Sequence, residues 1–170
     1  MSGVVSVCAQ VLPFLAPVAV LLVWWRLPGG AKARFGLLAV VSGVCAAALV
    51  LVAGLVHDDP RPFVLDPSHP ALFPHDADNG FPSDHTTYAA TAALVVATVR
   101  RRLGLLLLGS AVLGGLARVA ANVHHVQDIV AALVIAAVAV GVGLGLQALL
   151  DRGRRGRDVA DPETPARARP

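Results

Sequence analysis

The chain has 170 residues, 56% of them hydrophobic and 15% charged, with a mean hydropathy of +0.69. Soluble domains carry roughly 25% charged residues, so a freely soluble globular protein is excluded, and so is disorder over most of the length. The net charge of +3 comes from small Lys and Arg clusters between apolar runs, not from a basic stripe interleaved with aromatics, which argues against a nucleic-acid partner.

A transmembrane helix needs about 20 mostly apolar residues, and five stretches qualify in chain order. The first is Val4 to Trp25, bent by Pro13 and Pro17 and ending on an interfacial Trp pair. No Lys or Arg precedes it and its apolar run is long, so it reads as a span and not as a cleaved leader. The second is Phe35 to Val56. The third opens at Ser83 or Asp84, both good N-caps, and runs through Val99. The fourth is Leu103 to about Asn122, and the fifth is Val126 to Leu150. A single helix from Leu103 to Leu150 would be about 70 Å long, over twice the bilayer core, so Asn122-Val123-His124-His125 must break it.

The basic clusters fix an orientation. Arg26, Lys32 and Arg34 follow the first span, Arg100 to Arg102 the third, and Arg152, Arg154, Arg155 and Arg157 the fifth. With five spans all of these fall on one side, which the positive-inside rule makes cytoplasmic. The expected fold is therefore an all-α polytopic bundle of about five transmembrane helices, residues 1–150, in the cell membrane. Residues 151–170 read as a disordered basic cytoplasmic tail. The long polar connection from His57 to Pro82 lies on the outer side and is expected to cap or line a site. Gly114-Gly115 and Gly141-x-Gly143-x-Gly145 suit close helix packing. Cys8 and Cys45 sit in apolar runs, so no disulfide framework is expected.

Three segments carry the reactive groups, and all three fall at the outer ends of spans. The first holds Arg61-Pro62. The second, Phe81-Pro82-Ser83-Asp84-His85, opens a helix whose free N–H groups and dipole favour an anion. The third holds Arg118, His124 and Asp128. An arginine inside an apolar span costs roughly 2.5–3.5 kcal/mol on the insertion scale, so it marks a site. Asp128 follows His124 by four residues, one helical turn, where a carboxylate can hold the second ring nitrogen. His124 and Asp128 could also share a metal ion, but Arg61 and Arg118 would oppose a cation, and no strong ligand spacing occurs. No metal or other cofactor is expected. The arginines suit a phosphate.

These segments together resemble the type-2 phosphatidic acid phosphatase superfamily. Its pattern is Lys, six residues, Arg-Pro; then Pro-Ser-Gly-His; then Ser-Arg, five residues, His, three residues, Asp. Arg61-Pro62, Pro82-Ser83-Asp84-His85, and Arg118, His124 and Asp128 match it in order. Gly54 stands at the Lys position, with His57 the nearest group to replace it, and Ala117 stands at the third motif's Ser. Asp84 in place of Gly is similar to the bacitracin-resistance type of undecaprenyl-diphosphatase within the superfamily. Members commonly have six spans, one more than is counted here.

The resemblance implies a phosphohistidine mechanism: His124 as nucleophile, Asp128 orienting it, and His85 protonating the leaving oxygen. Arg61, Ser83, Arg118 and the amides near Asp84 would hold the phosphate oxygens. The implied substrate is a membrane lipid phosphate, undecaprenyl diphosphate, met on the extracytoplasmic side. Phosphatidylglycerophosphate or phosphatidate is the alternative, and a catalytically silent lipid-binding or channel protein the alternative of another class. The missing Lys implies a weaker or narrower enzyme. Nothing in the sequence sets an oligomeric state.

Overall fold

The computed structural model describes residues 2–160, with side chains through Arg154. It is all-α. Helix α1 is Ser2–Arg26, α2 Gly29–Val56, α3 the single turn Pro62–Leu65, α4 Asp84–Ala97, α5 Arg101–Ala120 and α6 Val126–Ala160. Four of them, α1, α2, α5 and α6, are long and apolar enough to cross a membrane. Their outer faces are lined with exposed Val, Leu, Phe and Trp, the surface that lipid tails solvate.

The expected third span is the exception. Helix α4 has 14 residues, about 21 Å at 1.5 Å per residue, and it stops at Ala97, where Thr98 folds its hydroxyl back onto the Val95 carbonyl. Its position explains its length. Helix α1 packs on α5 and α2 on α6, and α4 runs between the two pairs, touching all four. Eight of its 14 residues are buried, all of them Ala, Thr or Val, against three in the 25 residues of α1. A helix walled by protein need not match the hydrocarbon thickness by itself.

Small residues let the layers close. A Cβ on Gly143 of α6 would meet Ser42 Oγ of α2 at 2.7 Å, and one on Gly115 of α5 would meet Ile129 and Thr86 at 2.8 and 2.9 Å. Gly141 and Gly145 have open space around them, so only part of the glycine spacing is used for packing. Cys8 and Cys45 are free thiols.

The break between α5 and α6 falls where the polar residues require it. Asn122 takes φ 63°, the left-handed conformation that Asn tolerates better than most residues. At the other end of the bundle, Lys32 lies over the rings of Trp24 and Trp25, and Arg34 pairs with Asp151 at 2.6 Å. Arg34 therefore meets the Asp151 and Arg154 stretch of α6 at this end. Helix α6 carries on to Ala160, ten residues past the boundary that composition suggested, and residues 161–170 of the expected tail lie outside the described residues.

Candidate active site

The other end is built around the connection between α2 and α4. Asn79 ties its two ends together: its Oδ1 accepts from the Asp59 and Phe81 amides, and its Nδ2 donates to the Gly54 and His57 carbonyls. Pro60 and Asn79 face each other in an antiparallel bridge. The middle of the connection is fastened to the end of α5, where the Leu72 amide donates to the Ala121 carbonyl and the Asn122 side chain to the His69 carbonyl. The folded connection, the start of α4 and the α5–α6 turn enclose a pocket of about 140 Å³ lined by Arg61, His75, Asp84, His85, Arg118 and His124, with Asp78 and Asn79 at its edge.

His124 sits in the wall, 3% exposed. Its Nδ1 lies 3.0 Å from the Gly80 carbonyl and 3.2 Å from Asp128 Oδ2. Both partners are acceptors, so Nδ1 carries the proton and Nε2 keeps its lone pair. That Nε2 lies 3.5 Å from Arg61 Nη1. Burial pushes the His124 pKa below the ordinary histidine value, and the charges of Arg61 and Arg118 add to this against the pull of Asp128. The ring is therefore neutral at neutral pH, the state a nitrogen nucleophile needs. Asp128 is fully buried and is itself fixed by the His125 amide, which donates to Oδ2 at 2.8 Å.

Two guanidinium groups line the pocket. Arg61 donates from Nε to Asp78 Oδ1 at 2.8 Å and from Nη1 to the Val123 carbonyl at 2.9 Å, which leaves Nη2 for an oxyanion. Arg118 donates from Nη1 to the Ala9 carbonyl of α1 at 3.1 Å and from Nη2 to His75 Nε2 at 3.0 Å. His75 can accept only while neutral. Burial, with the charges of Arg61 and Arg118, holds its pKa down accordingly. Asp84 and His85 stand at the N-terminus of α4, whose first-turn N–H groups have no intrahelical partners.

Six of the seven residues singled out from sequence thus meet here, Asp128 standing directly behind His124. Ser83 is brought close but lies inward: it is fully buried, its Oγ is 3.1 Å from Thr86 Oγ1, and it is not on the pocket wall. Gly54 is also accounted for. A Cβ there would come within 3.3 Å of the Phe81 carbonyl, so the folded connection occupies the start of a lysine's path. His57 does not replace that lysine; it is exposed and packs edge-on against Phe81 at 4.5 Å. His75 is the pocket histidine that sequence reasoning missed. It lies 6.2 Å from His124, ring centre to ring centre, and its only signal was membership of a polar, proline-rich connection.

A second cavity of about 560 Å³ adjoins the pocket. Gln10 and Phe14 of α1, Phe73 to Asp76, and the shared residues His75, His85 and Arg118 line it. Behind the site, Asp59, His125 and Asp128 bring three potential metal-ligand atoms within 4.8 Å of one another. Asp59 is already engaged there by His125 Nδ1 at 3.1 Å and Gln127 Nε2 at 2.5 Å. Burial opposes its ionisation, but these two partners outweigh it and hold its carboxyl below the usual range.

The model of the PAP2 superfamily matches residues 35–149. A protein of Bacillus subtilis (strain 168) named undecaprenyl-diphosphatase BcrC is 30% identical over 139 residues, covering 78% of this chain and 72% of that protein. A Bacillus licheniformis protein named bacitracin transport permease protein BcrC is 30% identical over 111 residues, covering 65% and 55%.

Proposed function

The chain belongs to the PAP2 superfamily, and on that premise we propose that it is a membrane lipid phosphatase hydrolysing undecaprenyl diphosphate to undecaprenyl phosphate through a phosphohistidine. The observation that carries this reading is His124: a buried neutral imidazole whose Nδ1–H is held by Gly80 and Asp128 while Nε2 faces Arg61.

In this mechanism Nε2 of His124 attacks the terminal phosphorus, and an N–P bond forms as the bridging O–P bond breaks. Asp128 stabilises the positive charge left on the ring. By themselves, burial and the charge of Arg118 hold His85 below the ordinary histidine value; the negative charge of the bound substrate opposes this. The ring so protonated gives its proton to the departing oxygen, then accepts one from the water that hydrolyses the N–P bond and restores free His124. Arg61, Arg118 and the first-turn amides of α4 hold the equatorial oxygens as charge builds; losing one such donor typically costs 10²–10³ in rate. His85 lines both cavities whereas His124 lines only the smaller. The leaving lipid phosphate therefore occupies the larger one, against Phe14 and Phe73. No step requires a metal ion.

The test is phosphate release by pure protein in detergent over a panel of undecaprenyl diphosphate, phosphatidylglycerophosphate and phosphatidate. Undecaprenyl diphosphate should turn over best, with inhibition by vanadate and an acid-labile, alkali-stable phosphoenzyme. Turnover of a phospholipid alone would change the substrate, and no release from any of them would overturn the reading. The arginine clusters in the sequence support a site on the extracytoplasmic side. Single cysteines at Ala77 and Gly153, in a chain lacking Cys8 and Cys45, should respectively label and stay protected with an impermeant maleimide on intact cells; the reverse pattern would invert the orientation.

A further inference from the structure

Helix α1 lies outside the residues that the family model matches, yet it reaches the site. In an α-helix the N–H of each residue donates to the carbonyl four positions earlier. Proline has no N–H, so Pro13 leaves the Ala9 carbonyl without its helical partner although α1 is helical from Ser2 to Arg26. An unpaired carbonyl inside a membrane costs several kcal/mol. Here it is paired: Ala9 is fully buried, and its carbonyl accepts from Arg118 Nη1 at 3.1 Å.

The same proline brings the donor within reach. Pro13 is buried against Gly114 of α5, where an added Cβ would meet the ring at 3.3 Å. Gly114 is one turn before Arg118 on the same helix. In a guanidinium only 2% exposed, Nη1 and Nη2 are held by the Ala9 carbonyl and His75, while Nε has no hydrogen-bond partner. Each of these two bonds therefore carries the positioning. Pro17 supplies the internal contrast: it is also in α1, but it lines an apolar cavity toward α2 and α4, away from the site.

We infer that Pro13 is a positioning residue of the active site: by withholding an N–H from Ala9 it creates the acceptor that holds Arg118 in place for the phosphate. This rests on the reading of Arg118 as a substrate-binding group.

The test separates the missing N–H from the ring. In Pro13→Ala the new N–H competes for the Ala9 carbonyl, and kcat/KM should fall at least about tenfold, as small misplacements of a binding group do. An α-hydroxy analogue of alanine at position 13, which makes a backbone ester, removes the N–H without restoring the ring; it should recover most of that loss. In an Arg118→Lys background Pro13→Ala should cost little more, and Pro17→Ala should leave activity near that of the natural chain. A Pro13→Ala enzyme as active as the natural one, an ester no better than Pro13→Ala, or full additivity with Arg118→Lys would each overturn the inference. A readout independent of catalysis is ¹⁵N NMR of the Arg118 guanidinium in micelles. Separate Nη1 and Nη2 signals in the natural chain should merge in Pro13→Ala and return in the ester. That result would stand even if the chain hydrolysed none of the lipids, and unchanged signals would sink the inference even if it hydrolysed them all.

Discussion

Two adjacent histidines, His124 and His125, each place Nδ1 against an aspartate, at 3.2 Å from Asp128 and 3.1 Å from Asp59. By distance the pairs are equivalent. Their surroundings differ. His124 and Asp128 are 3% and 0% exposed, and the free ring nitrogen of His124 meets a guanidinium in a pocket. His125 and Asp59 are 32% and 13% exposed, and His125 is not on the pocket wall. On the proposed mechanism, a His–Asp contact by itself does not make a nucleophile. Full burial of the pair, and cations placed beside the free ring nitrogen, are what separate the two. The outer pair instead braces the connection against α6, since Asp59 bonds both His125 and Gln127.

The largest expected effect breaks the comparison at its centre. His124→Ala should leave no measurable phosphate release, while His125→Ala should stay within about threefold of the natural chain, as is usual for a partly exposed side chain. Equal losses would mean that the pairs had been assigned the wrong roles. Next comes the partner. Asp128→Asn removes the charge that stabilises the imidazolium, but the Gly80 carbonyl still selects the Nδ1–H tautomer. The loss in kcat should therefore be about 10²-fold, short of the roughly 10⁴ found where the tautomer is lost. Asp59→Asn should cost a few-fold at most. If it cost as much as Asp128→Asn, the outer pair would belong to the reaction.

How much of this was readable beforehand follows the physics of each segment. Arg118 was legible as a charge inside an apolar span, and His124 and Asp128 by their four-residue spacing, although His124 precedes the first residue of α6 and meets Asp128 from the turn. The polar run between two apolar spans marked the break that Asn122 makes. Arg61, Asp84 and His85 were legible through an ordered set of short motifs. His75, Asp78 and Asn79 were not, because they arrive through a connection with no period, closed by contacts to distant backbone groups such as the Gly54 carbonyl. The Ala9 acceptor was hidden for a different reason: it is a backbone atom, and Pro13 read simply as a bend. The shortness of α4 likewise depends on its four neighbours and not on its own residues.

A smaller effect sharpens the contrast through pH. The His124 pKa is pushed down by burial and by Arg61 and Arg118, so protonation, which removes the attacking lone pair, occurs only below the ordinary histidine value of about 6.5. As pH falls, kcat/KM for undecaprenyl diphosphate should stay level to about that value and decline beneath it. Neutralising a neighbouring cation should move this limb upward, toward 6.5, and Arg61→Gln is the variant to measure by its residual rate. A limb already at half its height above 6.5 in the natural enzyme would mean that His124 is not held neutral by its surroundings.

The smallest expected effect is none. Asp59, His125 and Asp128 offer the one group of three potential metal-ligand atoms found among the described residues, and it touches the aspartate behind His124. Were a divalent ion to sit there, it would draw Asp128 away from the imidazole and make the outer pair as important as the inner. The existing bonds oppose this: Asp128 Oδ2 already takes the His125 amide and faces His124 Nδ1, and Asp59 takes two side-chain donors. Turnover should therefore be unchanged after exhaustive treatment with EDTA and on addition of zinc, manganese or magnesium. A complete loss in EDTA, restored by one of these ions and abolished for good in both His125→Ala and Asp59→Asn, would reverse the ranking of the two pairs and make the chain a metal-dependent hydrolase.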